Sequence, residues 1–241
     1  MLAERTPAFV VLGEMHGNAE SPKIFADAVC LTAQAAPVVV ALEQGEDNQP
    51  SIDQFLASEG NEQDLAEFRS APLWNQTFKD GRSSKAMFAM FETLRQLHQV
   101  GRVSKVVAYM PLLAEPPAST ETWEAINAVS IIRGSHAGST TLVLTGNVHA
   151  SLSRVPWGDK YLPMAGHLPQ PLTVALDITG NGGETWACTG EPVACGPIRN
   201  GSESDVFERG VTLSAEEDGR FSGVVYLGSP TTPSPPLNQL D

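Results

Sequence analysis

Short apolar runs alternate with longer stretches of helical period along about the first 150 residues of the chain. The runs are four to seven residues long, as buried strands are, whereas the stretches between them place apolar side chains every three or four positions. The runs are Phe9–Leu12, Val38–Leu42, Val103–Tyr109 and Thr141–Leu144. Such alternation is typical of βαβ units. The pattern therefore predicts an α/β fold with a mainly parallel central sheet flanked by helices.

Helices are predicted after the first, second and third of these strands. The first helix begins at Ser21, a cap residue followed by proline, and ends near residue 35. Two short helices follow the second strand, one with a capping box of Ser51 and Gln54 and one capped by Asn61. Two longer helices have apolar faces. These faces comprise Met87, Met90, Phe91, Leu94, Leu97 and His98, and, in a helix from Thr120 to Arg133, Trp123, Ile126, Val129 and Ile132.

The pattern changes after Pro171, where short strands joined by glycine-rich turns replace the long helices. The predicted strands are Leu172–Ile178, Glu184–Ala187 and Gly223–Leu227, and they are expected to form an antiparallel C-terminal extension of the sheet. From Ser229 onward the chain is rich in Pro, Ser and Thr and poor in apolar side chains. The sequence therefore predicts one domain over residues 1–228 and a flexible Pro-rich tail over residues 229–241.

Charge and hydropathy exclude two classes of partner. The 15 Lys and Arg residues against 28 Asp and Glu residues give a formal net charge of −13, which repels a phosphate backbone. We therefore expect no nucleic-acid partner. No apolar run reaches the roughly 18 residues that a membrane-spanning helix needs, so we expect no membrane-spanning segment.

Three cysteines bear on the compartment. Cys30 lies in an apolar helical stretch and is interpreted as a small buried hydrophobe. Cys188 and Cys195 flank a Thr-Gly-Glu-Pro turn, so a disulfide and two free thiols are both open alternatives. A disulfide would indicate an oxidising compartment and would favour an exported or periplasmic protein. Residues 1–7 carry no signal-peptide pattern.

Polar residues follow three of the predicted parallel strands at their C-terminal ends. Glu14 and His16 come after the first strand, Glu43 after the second and His149 after the fourth. Because open α/β sheets bind ligands at this edge, we expect the four side chains to meet there. Glu14 and His16 are two residues apart, which in extended backbone points both to one side.

These motifs carry a family resemblance. The segments VLGEMHG (residues 11–17), ALEQG (41–45) and LTGNVH (144–149) resemble the superfamily that joins erythromycin esterase-like enzymes, ChaN-like haem-binding proteins, and the TraB and Tiki proteins. The resemblance spans residues 9–156 and is closest to the ChaN-like branch, which has a segment similar to Arg154-Val155-Pro156-Trp157. The family fold is α/β, in agreement with the periodicity.

The resemblance implies different functions in different branches. In the esterase branch His16 would be the general base that activates water, and Glu14 or Glu43 would orient it. One residue fewer separates Glu14 from His16 than in the esterase pattern. In Tiki-like proteins the residues that match His16, Glu43 and His149 would hold a divalent transition metal. The ChaN-like branch implies haem binding, for which Tyr109, Tyr161 and Tyr226 are the available phenol ligands.

We interpret the chain as a hydrolase of an ester or amide bond in a small-molecule or peptide substrate, acting through Glu14, His16, Glu43 and His149. Metal-assisted and metal-free hydrolysis are both open at this point. The alternative is a non-catalytic haem or metal carrier. Arg82 and Arg154 are candidates for binding a substrate carboxylate or an oxyanion. The structural interpretations are a helix cap for His16, a buried histidine at 149, a salt bridge for Glu43 and solvated surface arginines.

Overall fold

The computed structural model describes residues 8–76, 79–201, 206–213 and 219–238. Strands and helices alternate through its first half and strands dominate the second. The helices are α1 (Glu20–Thr32), α2 (Gln49–Ala57), α3 (Glu62–Ser70), α4 (Lys85–Gln99) and α5 (Thr120–Gly134). The strands are β1 (Phe9–Glu14), β2 (Val38–Gly45), β3 (Val103–Met110), β4 (Thr141–Gly146), β5 (Thr173–Thr179), β6 (Glu184–Thr189), β7 (Ala194–Arg199), β8 (Gly210–Thr212) and β9 (Gly223–Tyr226).

The main sheet has seven strands within the described residues, in the order β3-β2-β4-β1-β5-β9-β8. All neighbours are parallel except β8, which is antiparallel to β9. The predicted α/β class is confirmed. Its antiparallel extension is found at β8 and in a separate β6–β7 hairpin, whereas β5 and β9 join the sheet in parallel. Long connections before β5 and β9 return the chain to the same end of the sheet, which a parallel pairing requires.

Two hydrophobic cores lie on the two faces of the sheet. Alternation along β2 directs Val38, Val40 and Leu42 to one face and Val39 and Ala41 to the other. Helices α1 to α4 pack on the first face, while α5 and the turn at residues 164–167 pack on the second. Burial on both faces explains why β2 is an uninterrupted apolar run in the sequence.

The apolar face predicted for α5 is wrong. Val129 and Ile132 are 42% and 40% exposed, and the buried positions are Glu124, Asn127, Ala128, Ile131 and Gly134. A Cβ at Gly134 would lie 2.7 Å from the Val107 side chain, so the helix rests closely on β3 through its small residues. The rotation that allows this contact also buries Glu124. Among the predicted caps, Asn61 forms a capping box with Asp64, whereas the Ser51 and Gln54 box does not form because α2 begins at Gln49.

The described part of the C-terminal segment is packed, in contrast to the flexible tail predicted from its composition. Thr231 and Ser234 are buried. The Ser234 amide donates to the Gly17 carbonyl at 2.8 Å, and the Leu237 amide donates to the Ser83 carbonyl at 2.9 Å. Backbone hydrogen bonds thus fix residues 231–237, although they offer few apolar side chains. Residues 239–241 lie outside the described part of the chain.

The β6–β7 hairpin forms its own two-stranded sheet and carries a disulfide between Cys188 and Cys195, which are paired across its strands. Of the two alternatives left open by the sequence, the structure thus has the disulfide. Cys30 is a free, half-buried thiol that packs against the core. None of the described helices is both long enough and apolar enough to cross a bilayer.

Candidate active site

The polar residues predicted at the strand ends meet at one edge of the sheet. Glu14 ends β1 and is buried, and His16 follows it in the loop toward α1. The Nδ1 of His16 donates to Glu14 Oε1 at 3.0 Å. The two side chains point to one side, as their spacing predicts. The carboxylate thereby fixes the orientation of the imidazole ring and leaves its Nε2 directed away from β1.

Glu43, near the end of β2, lies at the centre of the cluster and is 9% exposed. Its Oε2 accepts hydrogen bonds from Thr145 Oγ1 at 2.7 Å and from the Gly146 amide at 2.8 Å. Its Oε1 accepts one from Arg82 Nη1 at 3.2 Å. These donors compensate the burial of an ionised carboxylate.

Both imidazoles turn their Nε2 atoms toward this one carboxylate. His16 Nε2 lies 3.5 Å from Glu43 Oε2, and His149 Nε2 lies 4.0 Å from Glu43 Oε1. Gly146 lies beneath them, because a Cβ there would be 3.0 Å from His16 Nε2 and 3.7 Å from His149 Cδ2. The structure thus brings all four predicted residues into one cluster, with the imidazoles partly open to solvent.

Glu124 on α5 completes the cluster and is not among the residues predicted from the sequence. Its two oxygens lie 2.8 and 2.9 Å from His149 Nδ1, and its Oε2 also accepts from the Met164 amide at 2.8 Å. The side chain is 1% exposed. The available signal was a stripe at helical spacing, residues 124, 127, 128, 131 and 134, which is small or polar except for Ile131 and contains a single carboxylate. Each imidazole therefore has its own buried glutamate at Nδ1.

Arg82 approaches the cluster from the loop before α4. Asp80 holds its guanidinium through Nε, at 3.0 Å, and through Nη2, at 2.6 Å, and so directs Nη1 to Glu43. The loop passes close to the His16 loop, since a Cβ at Gly81 would lie 2.2 Å from the Gly17 amide nitrogen. Gly81 has a φ of +104°, which favours glycine. Asp80 is thus a positioning residue for Arg82.

Tyr109 contacts the cluster through Thr145, whereas from the sequence it was a candidate only for haem ligation. Its buried hydroxyl donates to Thr145 Oγ1 at 2.7 Å, and Thr145 in turn donates to Glu43. Burial raises the pKa of Tyr109 well above its ordinary value, and the nearby Glu43 charge adds to the effect. The phenol therefore stays neutral and acts as a fixed donor.

The second candidate arginine lies outside the cluster. Arg154 is exposed and makes a bidentate pair with Glu121, with distances of 2.6 and 2.9 Å, and its Nη1 also donates to the Lys160 carbonyl. This arrangement matches the surface interpretation of Arg154. Within the part of the chain that the structure describes, Arg154 does not contact Glu14, His16, Glu43 or His149.

The electrostatics of the cluster raise the pKa of both histidines. Burial disfavours an imidazolium at position 16, but attraction to Glu43 and the hydrogen bond to Glu14 outweigh it and raise the pKa of His16 to about 10. Burial likewise opposes charge on His149, but the hydrogen bond to Glu124 and the charge of Glu43 raise its pKa. Burial raises the pKa of Glu14. In contrast, burial of Glu43 is overcome mainly by the charge of His16, so the pKa of Glu43 is lowered.

The donor set does not fit a divalent metal at His16, Glu43 and His149. The Arg82 guanidinium lies 3.2 Å from Glu43 Oε1, the oxygen that His149 Nε2 also faces. A divalent cation bound between Glu43 and His149 would therefore be repelled by a fixed positive charge. Within the described residues, no group of three or more His, Cys, Asp and Glu side chains has the arrangement of a metal site. We therefore derive no step through a metal.

Two of the three candidate haem ligands, Tyr109 and Tyr226, have contacts elsewhere. Tyr109 is bonded to Thr145, and Tyr226 stacks on Phe207 with ring centroids 4.5 Å apart. Met87 and Met90 lie in the core at 4% and 2% exposure, as the sequence analysis expects. These contacts give the carrier alternative no support.

Comparison with known proteins establishes the fold. No protein-family model matches the chain, and no curated protein is similar to it in sequence. It is similar in structure to a variant of the erythromycin esterase EreC in its open conformation, with a TM-score of 0.68 and 12% identity over 98% of this chain and 93% of that one.

Two further solved structures are similar. A Bacillus cereus protein has a TM-score of 0.56 and 12% identity over 96% of this chain and 90% of that one. The type III effector HopBA1 has a TM-score of 0.52 and 12% identity over 93% and 88%. The chain therefore shares the α/β fold of an erythromycin esterase. None of the three is described as a ChaN-like protein, so that branch stays a prediction from the motifs.

Proposed function

We propose that this protein is a metal-independent hydrolase of an ester or amide bond, with its active site at Glu43, His16, His149 and Arg82. The observation that carries the proposal is the shared geometry of the imidazoles: each is held at Nδ1 by a buried glutamate, and each directs Nε2 to the same carboxylate. A fold in common with an enzyme named as an esterase adds support.

His149 is the group proposed to activate water. Because its Nδ1–H donates to Glu124, the neutral ring has its lone pair on Nε2, which lies 4.0 Å from Glu43 Oε1, and the side chain is partly exposed to solvent. Glu124 also stabilises the imidazolium that forms when Nε2 accepts a proton. The resemblance to esterases implies His16 as the base. Its pKa of about 10 instead favours a histidine that is already protonated at neutral pH.

His16 and Arg82 are proposed to stabilise developing negative charge. An imidazolium at His16 and the Nη1 of Arg82 border opposite oxygens of Glu43 and are fixed by Glu14 and Asp80. Positive groups that are held in place before the reaction lower the energy of an oxyanion without reorganisation. A carbonyl oxygen placed beside them would develop its charge at these donors.

The proposed reaction balances without a further reagent. Water oxygen adds to the carbonyl carbon while its proton passes to His149 Nε2, which gives a tetrahedral oxyanion. The imidazolium of His149 then donates this proton to the leaving oxygen or nitrogen as the carbon–heteroatom bond breaks. The products are a carboxylic acid and an alcohol or amine, and His149 returns to its neutral form. The substrate is proposed to be a small molecule or a peptide.

The test uses 4-nitrophenyl acetate and a panel of activated esters and amides. His149→Asn and His16→Asn should each lower kcat/KM by about 10²-fold or more, the range for loss of acid–base or electrostatic groups. His136→Asn is the matched control, because His136 is exposed and lies beyond α5. Folding is checked by circular dichroism. Absence of turnover by the unmodified protein, or full activity in folded His149→Asn, would overturn the proposal.

A further inference from the structure

We propose that the disulfide-linked β6–β7 hairpin positions His16, so that reduction of Cys188–Cys195 lowers turnover at the active site. The proposal rests on the proposed function for its catalytic consequence. Its structural part, the dependence of the His16 loop on the disulfide, is independent of that function.

The hairpin contacts the backbone of the His16 loop at two successive residues. The Thr185 hydroxyl donates to the His16 carbonyl, and the Trp186 amide donates to the Gly17 carbonyl at 2.8 Å. Thr185 is 1% exposed. Gly17 has a φ of +83°, and a Cβ there would lie 2.0 Å from the Trp186 carbonyl oxygen. The loop and β6 are therefore packed backbone against backbone, which makes the position of His16 dependent on that of β6.

The hairpin also contacts the loop that carries Arg82. Cys188 Sγ lies 3.3 Å from the carbonyl oxygen of Lys79, the residue before Asp80. Asp80 in turn holds the Arg82 guanidinium. One strand, β6, thus touches both loops that are proposed to supply positive charge to the reaction.

The hairpin lies outside the main sheet, and besides the contacts given above the Glu184 amide of β6 donates to the Thr231 carbonyl at 2.9 Å. Within the described residues, β6 pairs only with β7, and most positions of β7 are exposed. Two-stranded hairpins on their own are at best marginally stable in water. The disulfide closes the hairpin next to its turn, at the cross-strand pair Cys188 and Cys195. Loss of the covalent link should therefore loosen β6 while the main sheet stays folded.

A dithiol reductant can reach this disulfide, because Cys195 is exposed. A thiolate of the reductant attacks Cys195 Sγ and the sulfur–sulfur bond breaks, which releases Cys188 as a thiolate that takes a proton from solvent. The second thiol of the reductant then attacks the mixed disulfide and releases Cys195 as a thiol. The reductant becomes a disulfide, and two electrons pass to the protein.

The experiment compares the full chain before and after dithiothreitol, beside Cys188→Ser/Cys195→Ser. A thiol assay should count one free cysteine before reduction and three after it, since the chain has three. Hydrogen exchange of amides 14–18 should accelerate at least tenfold in the reduced and in the double-variant protein. With the ester identified above, kcat should fall at least tenfold in both while KM changes less than twofold. The double variant should not respond to dithiothreitol.

Three single variants separate positioning from a general loss of structure. Thr185→Val should lower kcat in the oxidised protein, and Thr185→Ser, which keeps the hydroxyl, should restore it. Cys30→Ser should behave as the unmodified chain, including its response to reductant. Unchanged exchange of amides 14–18 after the appearance of three thiols would overturn the inference. Accelerated exchange in a protein that hydrolyses no ester would refute the proposed function alone.

Discussion

The charge of Glu43 is predicted to set the protonation of His16. The pKa of His16 is about 10 in the folded protein against an ordinary 6.5. At about 1.4 kcal/mol for each pKa unit, this difference corresponds to about 5 kcal/mol in favour of the imidazolium. Attraction to Glu43 is the largest of the favourable causes, ahead of the hydrogen bond to Glu14. Glu43→Gln keeps the shape of the side chain and removes its charge.

In Glu43→Gln we therefore expect the pKa of His16 to fall by about 2, the usual effect of one close charge. The assay is an NMR titration of protein labelled at histidine Cε1. The chain has five histidines, and the resonance of His16 is assigned with His16→Asn. Glu124→Gln is the matched control: it should lower the pKa of His149 and leave that of His16 near 10, because Glu124 contacts only the former ring.

The raised pKa of His16 also makes the free energy of unfolding depend on pH. Since the folded pKa of His16 exceeds the unfolded one, its contribution is complete below pH 6.5 and is lost as the pH rises toward 10. Urea unfolding of the unmodified protein should show this loss between pH 7 and pH 10, and Glu43→Gln should show a smaller one. A His16 resonance that titrates near 6.5 in the unmodified protein, or one unmoved by Glu43→Gln, would refute the reasoning.

Three further predictions concern the reaction. The pH profile of kcat/KM should be bell-shaped. Its acid limb should lie above pH 6.5, because the pKa of His149 is raised, and its alkaline limb should lie near pH 10, where His16 loses its proton. A rate that is constant from pH 6 to pH 10 would contradict these roles. Prolonged dialysis against EDTA should leave the activity within twofold of that of an untreated sample. A loss of activity that added Zn²⁺ or Mn²⁺ restores would indicate a metal-dependent reaction. Gly146→Ala places a methyl group 3.0 Å from His16 Nε2, so the ring must shift slightly. Because misplacement of a reacting group by about 1 Å can cost about 10²-fold, we expect this smaller shift to lower kcat about tenfold with little change in melting temperature. A kcat equal to that of the unmodified protein would contradict the described packing of the cluster.

The hydrophobic pattern of the chain is sufficient to predict the sheet and the edge at which its polar residues lie. Because a strand buried on both faces is apolar along its length, β1 to β4 are recognisable as apolar runs. Because parallel strands end at one edge of the sheet, Glu14, His16, Glu43 and His149 could be predicted to lie together. Their spacing along the chain was sufficient, because the direction of a strand and the alternation of its side chains are local properties.

The side chains that complete the cluster depend on how the elements pack against one another. Glu124 contacts His149 because α5 is rotated to pack its small residues on β3, and the apolar positions of that helix indicate a different rotation. The sequence offers no reason to distinguish Arg82 from Arg154. In the structure Asp80 directs Arg82 to Glu43, whereas Glu121 pairs with Arg154 at the surface.

The C-terminal half shows the same division. Its composition indicates short strands and a mobile tail. The parallel pairing of β5 and the backbone hydrogen bonds of residues 231–237 to Gly17 and Ser83 depend instead on where the long connections return the chain. A hydrogen bond between residues far apart in the chain is set by the relative position of whole elements. No window of the sequence contains that position, so the pairing could be known only once the elements were packed.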